Sequence, residues 1–274
     1  MEVTLVLAAG GVAAGLFGAL LGLGGGILIV PFLTLGFGLP VREAVGVSLV
    51  CVIVTSSAAA SVYLQRHVAN LRLGMVLELF TASGALVGGF AAFLLPEGIL
   101  SGLFAVLLVY TAASMLRSPA ATAPPAGDEV LAPAIAASEP LAWDTRLSGP
   151  GYSTRRLGVG VVGSLGAGVV SALLGIGGGI IKVPLMHLAM GVPLRVATAT
   201  SNLMIGVTAA ASAIVYLVRG GIDPLVAGPT AIGVFVGATM GSRSAERVDP
   251  RVLRGLFVIV LLYTAFQMAR RAVG

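Results

Sequence analysis

The chain has 274 residues, of which 57% are hydrophobic and only 10% charged, with a mean hydropathy of +1.05 and a formal net charge of +5. A soluble domain carries roughly 25% charged residues to cover its surface, so this composition excludes a water-soluble globule and makes lipid the solvent on most sides. The positive charge is almost wholly arginine placed between apolar segments, which reads as membrane topology and excludes a nucleic-acid footprint.

The chain opens on Met1-Glu2 and an apolar run, with no basic stretch and no small-residue cleavage site, so it reads as a first membrane segment and not a removed signal peptide. Apolar runs bounded by Gly, Pro or charge then predict segments at 3–21, 26–39, 44–64, 73–95 and 98–116, and again at 156–174, 179–192, 197–218, 224–242 and 252–269. The second segment of each set is too short to cross about 30 Å of hydrocarbon at about 1.5 Å per residue. Each is therefore expected to be a re-entrant or half-helix. The single cysteine, Cys51, lies inside an apolar run and can form no intrachain disulfide. Between the two sets, residues 118–150 are rich in Ala and Pro and show no helical or strand period, which predicts a flexible linker. The expected organisation is a first transmembrane repeat over 1–117, the linker over 118–150 and a second repeat over 151–274.

An offset of 153 residues relates the halves without a gap. It carries Gly22, Gly24, Gly25 and Gly26 onto Gly175, Gly177, Gly178 and Gly179, and Pro31 onto Pro184. It also carries Pro40 and Arg42 onto Pro193 and Arg195, Ser48 onto Ser201, Tyr63 onto Tyr216, and Gly84 and Gly88 onto Gly237 and Gly241. If each short segment returns to the face where its predecessor began, the repeats are inverted. All arginines but Arg42, Arg219, Arg270 and Arg271 then share one side. Excess arginine marks the cytoplasmic side, which predicts outside termini and a cytoplasmic linker. The expected fold is an all-α integral membrane protein of two inverted repeats, each with four transmembrane helices and one short segment.

Two glycine clusters, Gly22–Gly26 and Gly175–Gly179, will not hold a helix, since each Gly costs about 1 kcal/mol relative to Ala. A break at membrane depth needs protein or water to satisfy its backbone. The helix starts that follow would present N–H groups and positive dipole ends. Gly24, Gly25, Gly26, Gly177, Gly178 and Gly179 are thus candidate substrate-binding residues for an anion; the alternative is close helix packing. Lys182, the only lysine, stands three residues past the second cluster, where its repeat partner is Ile29. A charge inside a membrane segment suggests function, here a cation for an anionic group; the alternative is a snorkelling side chain. Glu78, whose repeat partner is Ala231, could couple a proton or pair with an arginine such as Arg72. His187 is a second candidate for proton coupling, against the commoner structural role of a lone histidine, and His67 carries no assignment. Ser48, Ser201 and Asn202 can donate to oxyanions without a buried charge, or simply bond within and between helices. Arg42 and Arg195 follow Gly-x-Pro in each half and either steer anions to the two mouths or fix the loops.

A duplicated G-x-G-G-G followed by V-P, with A-T-S at the start of the next helix, resembles the TauE/SafE-type sulfite exporter family, also called the 4-toluene sulfonate uptake permeases. The matching strings are Gly22–Pro31, Gly175–Pro184 and Ala199–Asn202, and the likeness covers the chain apart from the linker. The first half departs from it, with Gly46-Val47-Ser48 where the second has Ala199-Thr200-Ser201. The resemblance implies transport of sulfur-containing anions such as sulfite, sulfonates or sulfoacetate, coupled to a proton or ion gradient, in a prokaryotic inner membrane. The reading is a secondary anion transporter, with a passive anion channel or a non-transporting accessory membrane protein as alternatives. No enzyme motif, nucleotide motif, metal spacing or cofactor signature is present. The expected partners are a small anion and the bilayer; the small-residue faces would also allow a homodimer.

Overall fold

The computed structural model describes residues 2–21, 25–65, 69–117, 147–149, 152–244 and 250–273. Gly22, Gly24, Arg66, His67 and all of the expected linker except 147–149 lie outside the described residues. Every regular element among the described residues is helical. The first half comprises α1 (Glu2–Leu21), α2 (Gly26–Gly36), α3 (Val41–Gln65), α4 (Leu71–Leu94) and α5 (Glu97–Arg117). The second comprises α6 (Leu157–Leu174), α7 (Gly179–Pro184), α8 (Leu194–Val218), α9 (Pro224–Ser244) and α10 (Pro250–Val273).

Among the described residues seven helices are long and apolar enough to cross a membrane, and α3 matches them in length at 25 residues. They turn apolar side chains outward, such as Met75, Leu79, Val106, Ile232 and Phe266, which are more than half exposed. In water that surface would be untenable; in lipid it is the expected exterior. The chain is therefore a multi-pass, all-helical membrane protein. The two short helices are α2 and α7. The expected half-helix over 179–192 is corrected in detail: α7 ends at Pro184 and widens into a π turn over Leu185–Ala189. Proline lacks the N–H that would close the α ladder, and a π bulge is one way the helix continues past it.

Packing pairs α1 with α9 and α4 with α6, α3 with α8, and α5 with α10. The offset exchanges the first two pairs and maps each of the other two onto itself. The correspondence reaches single atoms. A Cβ on Gly237 would strike Val12 O, and one on Gly84 would strike Leu165 O, its counterpart. Gly15 abuts Val234 O as Gly168 abuts Thr81 O. These glycines exist because the backbones touch there, the small-residue packing of membrane helices.

Helix directions follow from the same contacts. Ala8 lies against Gly233, Val12 against Gly237 and Leu16 against Gly241, so α1 and α9 run parallel. Gly46 lies against Gly221, and Ser56 against Gly206, so α3 and α8 run antiparallel. Gly25 sits beside Ala14 and Phe32 beside Gly10, which turns α2 back along α1 from about its middle. In the second half Gly178 sits beside Ala167, and Leu185 beside Gly163, the same fold-back.

The described end of the expected linker is packed. Leu147 is buried with Met186, Met190 and Val192, and its carbonyl accepts from Asn70 Nδ2 at 2.8 Å. Asn70 also caps α4, its Oδ1 accepting from Leu73 N at 3.1 Å, and donates to Tyr152 Oη at 2.7 Å. Burial pushes the Tyr152 phenol above its ordinary value.

Candidate functional site

The two fold-backs bring the glycine breaks together in the middle of the bundle. Gly25, Gly175, Gly177 and Gly178 have φ between 68° and 76°, the left-handed region that glycine enters without a Cβ penalty. Gly25 and Gly178 stand as the residues before α2 and α7. A Cβ on Gly26 would lie 2.7 Å from Gly175 O, so the start of α2 touches the end of α6. Gly177 is flanked by Val52 and Ile205, which are repeat partners. Ser48 joins the breaks: its hydroxyl lies 2.7 Å from Gly175 O and 3.1 Å from Gly26 O. One proton serves two carbonyls, so Ser48 is engaged in holding the backbone.

One turn into α7 stands Lys182, fully buried. Its Nζ donates to Glu78 Oε2 at 3.1 Å and to Thr208 Oγ1 at 2.6 Å, while Thr208 Oγ1 donates to Glu78 Oε1 at 2.7 Å. Glu78 comes from α4 of the first half and Thr208 from α8. The pairing corrects the expectation of an arginine partner such as Arg72, because α4 lies against the second half and turns Glu78 toward α7. It also excludes a snorkelling lysine. The signal was present in the repeat. Lys182 replaces Ile29 and Glu78 replaces Ala231, so the two symmetry-breaking charges stand at positions that face one another.

Ser201 is buried on α8, its Oγ 3.6 Å from where a Cβ on Gly179 would stand, and it has no hydrogen-bond partner. Asn202, half-buried, follows it on the same helix. Gly25, Gly26, Gly177, Gly178 and Gly179, with Ser48, Ser201 and Lys182, thus gather around the breaks.

Other candidates fall elsewhere. Arg42 donates through Nε to Ala92 O at 3.0 Å and through Nη2 to Leu95 O at 2.9 Å, and lies over the Phe93 ring. It holds the C-terminal carbonyls of α4, which favours its loop-fixing alternative. Arg195 is exposed at the start of α8. His187 lies exposed on the π turn, where its Nδ1 is 2.9 Å from Val192 O of its own loop.

The profile of the sulfite exporter TauE/SafE family matches residues 7–268. The chain is 25% identical over 273 residues to "Probable membrane transporter protein YunE" of Bacillus subtilis, covering 96% of each. It is 27% identical over 272 residues to a probable membrane transporter protein of Methanocaldococcus jannaschii, covering 92% of this chain and 90% of the other. It is also 33% identical over 98 residues to "Sulfite exporter TauE/SafE family protein 6" of Arabidopsis thaliana, a stretch covering 36% of this chain and 23% of that one. No solved structure matches it.

Proposed function

The chain belongs to the sulfite exporter TauE/SafE family of membrane transporters, not to an enzyme family, and we propose that it is a secondary transporter of small sulfur-containing anions such as sulfite, sulfonates or sulfoacetate. The observation that carries this reading is the meeting of two symmetry-related backbone breaks, Gly26 against Gly175, beside a buried lysine. Irregular backbone at membrane depth is tolerated where it lines a solute site, and paired broken helices of related halves are how secondary transporters build one. The parallel and antiparallel contacts support repeats inverted about an axis in the membrane plane. On that reading both termini share one face and the linker the other. The arginine excess supports a cytoplasmic linker, and the family likeness supports a prokaryotic inner membrane.

Alternating access then moves the two halves about the α3–α8 crossing. Proton coupling rests on Glu78. Lys182 and Glu78 together are neutral. A proton on Glu78 leaves the Lys182 ammonium to balance one incoming anionic charge, so the site stays neutral with one proton and one monoanion bound. No other acidic side chain stands in α4, α6, α7 or α8.

The test is uptake of sulfite, sulfoacetate and sulfate by purified protein in proteoliposomes with an imposed pH gradient. Saturable, gradient-driven accumulation of a sulfur oxyanion is the expected result. Flux that never exceeds equilibrium would make the protein a channel.

A further inference from the structure

Among the described residues three buried side-chain hydroxyls have no hydrogen-bond partner, and all three belong to the helices that flank α7: Ser164 and Ser171 on α6 and Ser201 on α8. Buried polar atoms are almost always satisfied, so each exception calls for an occupant or another stated cause. Two of them converge. Ser171 Cβ and Lys182 Cε lie 3.3 and 3.4 Å from the point where a Cβ on Gly178 would stand. Ser201 Oγ is 3.6 Å from the equivalent point on Gly179. Ser164 lies seven residues before Ser171, on the same face of α6. Ser171 and Ser201 therefore flank the first turn of α7, which carries the buried ammonium of Lys182, while Ser164 stands two turns farther along α6, toward Leu185.

The first half has no counterpart. The offset places Gly11 at Ser164, Gly18 at Ser171, Ile29 at Lys182 and Ala231 at Glu78. Ser48 answers Ser201, but its hydroxyl already serves the carbonyls of Gly26 and Gly175. The backbone breaks are thus duplicated while the polar groups are not.

We propose that the anion is held by the second half alone, its oxygens accepting from Ser171 and Ser201 with Lys182 as counter-charge, and that the first-half break is a structural counterpart. The inference rests on the transporter reading. It assigns Ser171, leaves Ser164 outside the seat, and gives the ligand class as a small oxyanion with several acceptor oxygens, met by hydroxyl donors that add no charge.

The test uses the full-length protein in proteoliposomes, with sulfite, sulfoacetate and sulfate as probes. The variants are Ser171→Ala, Ser201→Ala and the double serine variant. An orphaned hydroxyl breaks no bond when removed, so the melting temperature without anion holds or rises. Each hydroxyl lost from a bound oxyanion raises KM about tenfold, and the double serine variant at least that much. The control, Ser83→Ala, removes an exposed hydroxyl bonded to its own helix at Leu79 O and leaves KM unchanged. Wild-type KM in the double serine variant overturns the one-sided seat while leaving the transporter standing. A melting temperature that falls without anion also overturns it, because the hydroxyls then serve the fold. If the wild-type protein neither transports nor is stabilised by any probe, the transporter reading fails, and the seat with it.

Discussion

Glu78→Gln leaves the Lys182 ammonium fully buried without its counter-charge. The pair is tight, with Nζ–Oε2 at 3.1 Å, Lys182 wholly enclosed and the Glu78 side chain 11% exposed. Removing one member of such a pair costs about 3–5 kcal/mol, whereas replacing both by apolar residues of suitable shape is often neutral or stabilising. The first half supplies the apolar solution at the equivalent positions, Ile29 and Ala231. The assay is thermal unfolding in detergent of Glu78→Gln, Lys182→Ile, and the double variant Lys182→Ile with Glu78→Ala. For a chain of this size 1 kcal/mol moves the melting temperature by roughly 2–4 °C, so each single variant should fall on the order of 10 °C. The double variant should recover most of that loss. Thr208 would keep its bond to Met204 O at 3.1 Å. Proteoliposomes carrying the double variant should show no accumulation of anion, because the charge has gone although the fold remains. Single variants that melt with the wild type would refute the buried pair. A double variant as unstable as the sum of the singles would refute the coupling between them.

Gly237→Ala should drive α1 from α9 and cost about 1–3 kcal/mol or more, with Gly84→Ala equally damaging at its counterpart; unequal losses would argue against equivalent halves. Ser48→Ala should cost about 1–3 kcal/mol by leaving a carbonyl at the joined breaks unsatisfied, read as a lower melting temperature. Arg42→Ala should lower the melting temperature through the freed α4 carbonyls and leave the KM for anion unchanged; a raised KM would restore the steering role. Cysteines placed at Pro40 and at Arg195, the equivalent starts of α3 and α8, should label from opposite faces of oriented vesicles, and labelling from one face would contradict inverted repeats.

The helices were legible because lipid imposes length and apolarity on each span, and the two half-helices because the apolar runs 26–39 and 179–192 are too short to cross. The repeat offset named the glycines that touch backbone, such as Gly84 and Gly237, although it could not say which helices they joined. That took the structure, since α1 packs mainly against α9 of the other half. The Lys182–Glu78 pair was half legible. Each residue stood out as a lone charge, but their meeting crosses the halves, and Thr208 between them repeats Thr55 and so breaks no symmetry. Ser164 and Ser171 left no mark at all, because a serine in a glycine-rich membrane helix usually bonds to its own backbone. Arg42 stayed open for a related reason: from sequence, an arginine at a loop can face solvent or carbonyls, and only the position of Ala92 and Leu95 decides.

The most direct measurement is sulfite and sulfoacetate uptake into proteoliposomes against a concentration gradient, driven by an inward proton gradient, with the purified wild-type chain. A proton-coupled transporter gives saturable accumulation above the external concentration that collapses when a protonophore dissipates the gradient. Uptake no greater than in protein-free vesicles for every sulfur oxyanion, or equilibration that ignores the gradient, would contradict that reading.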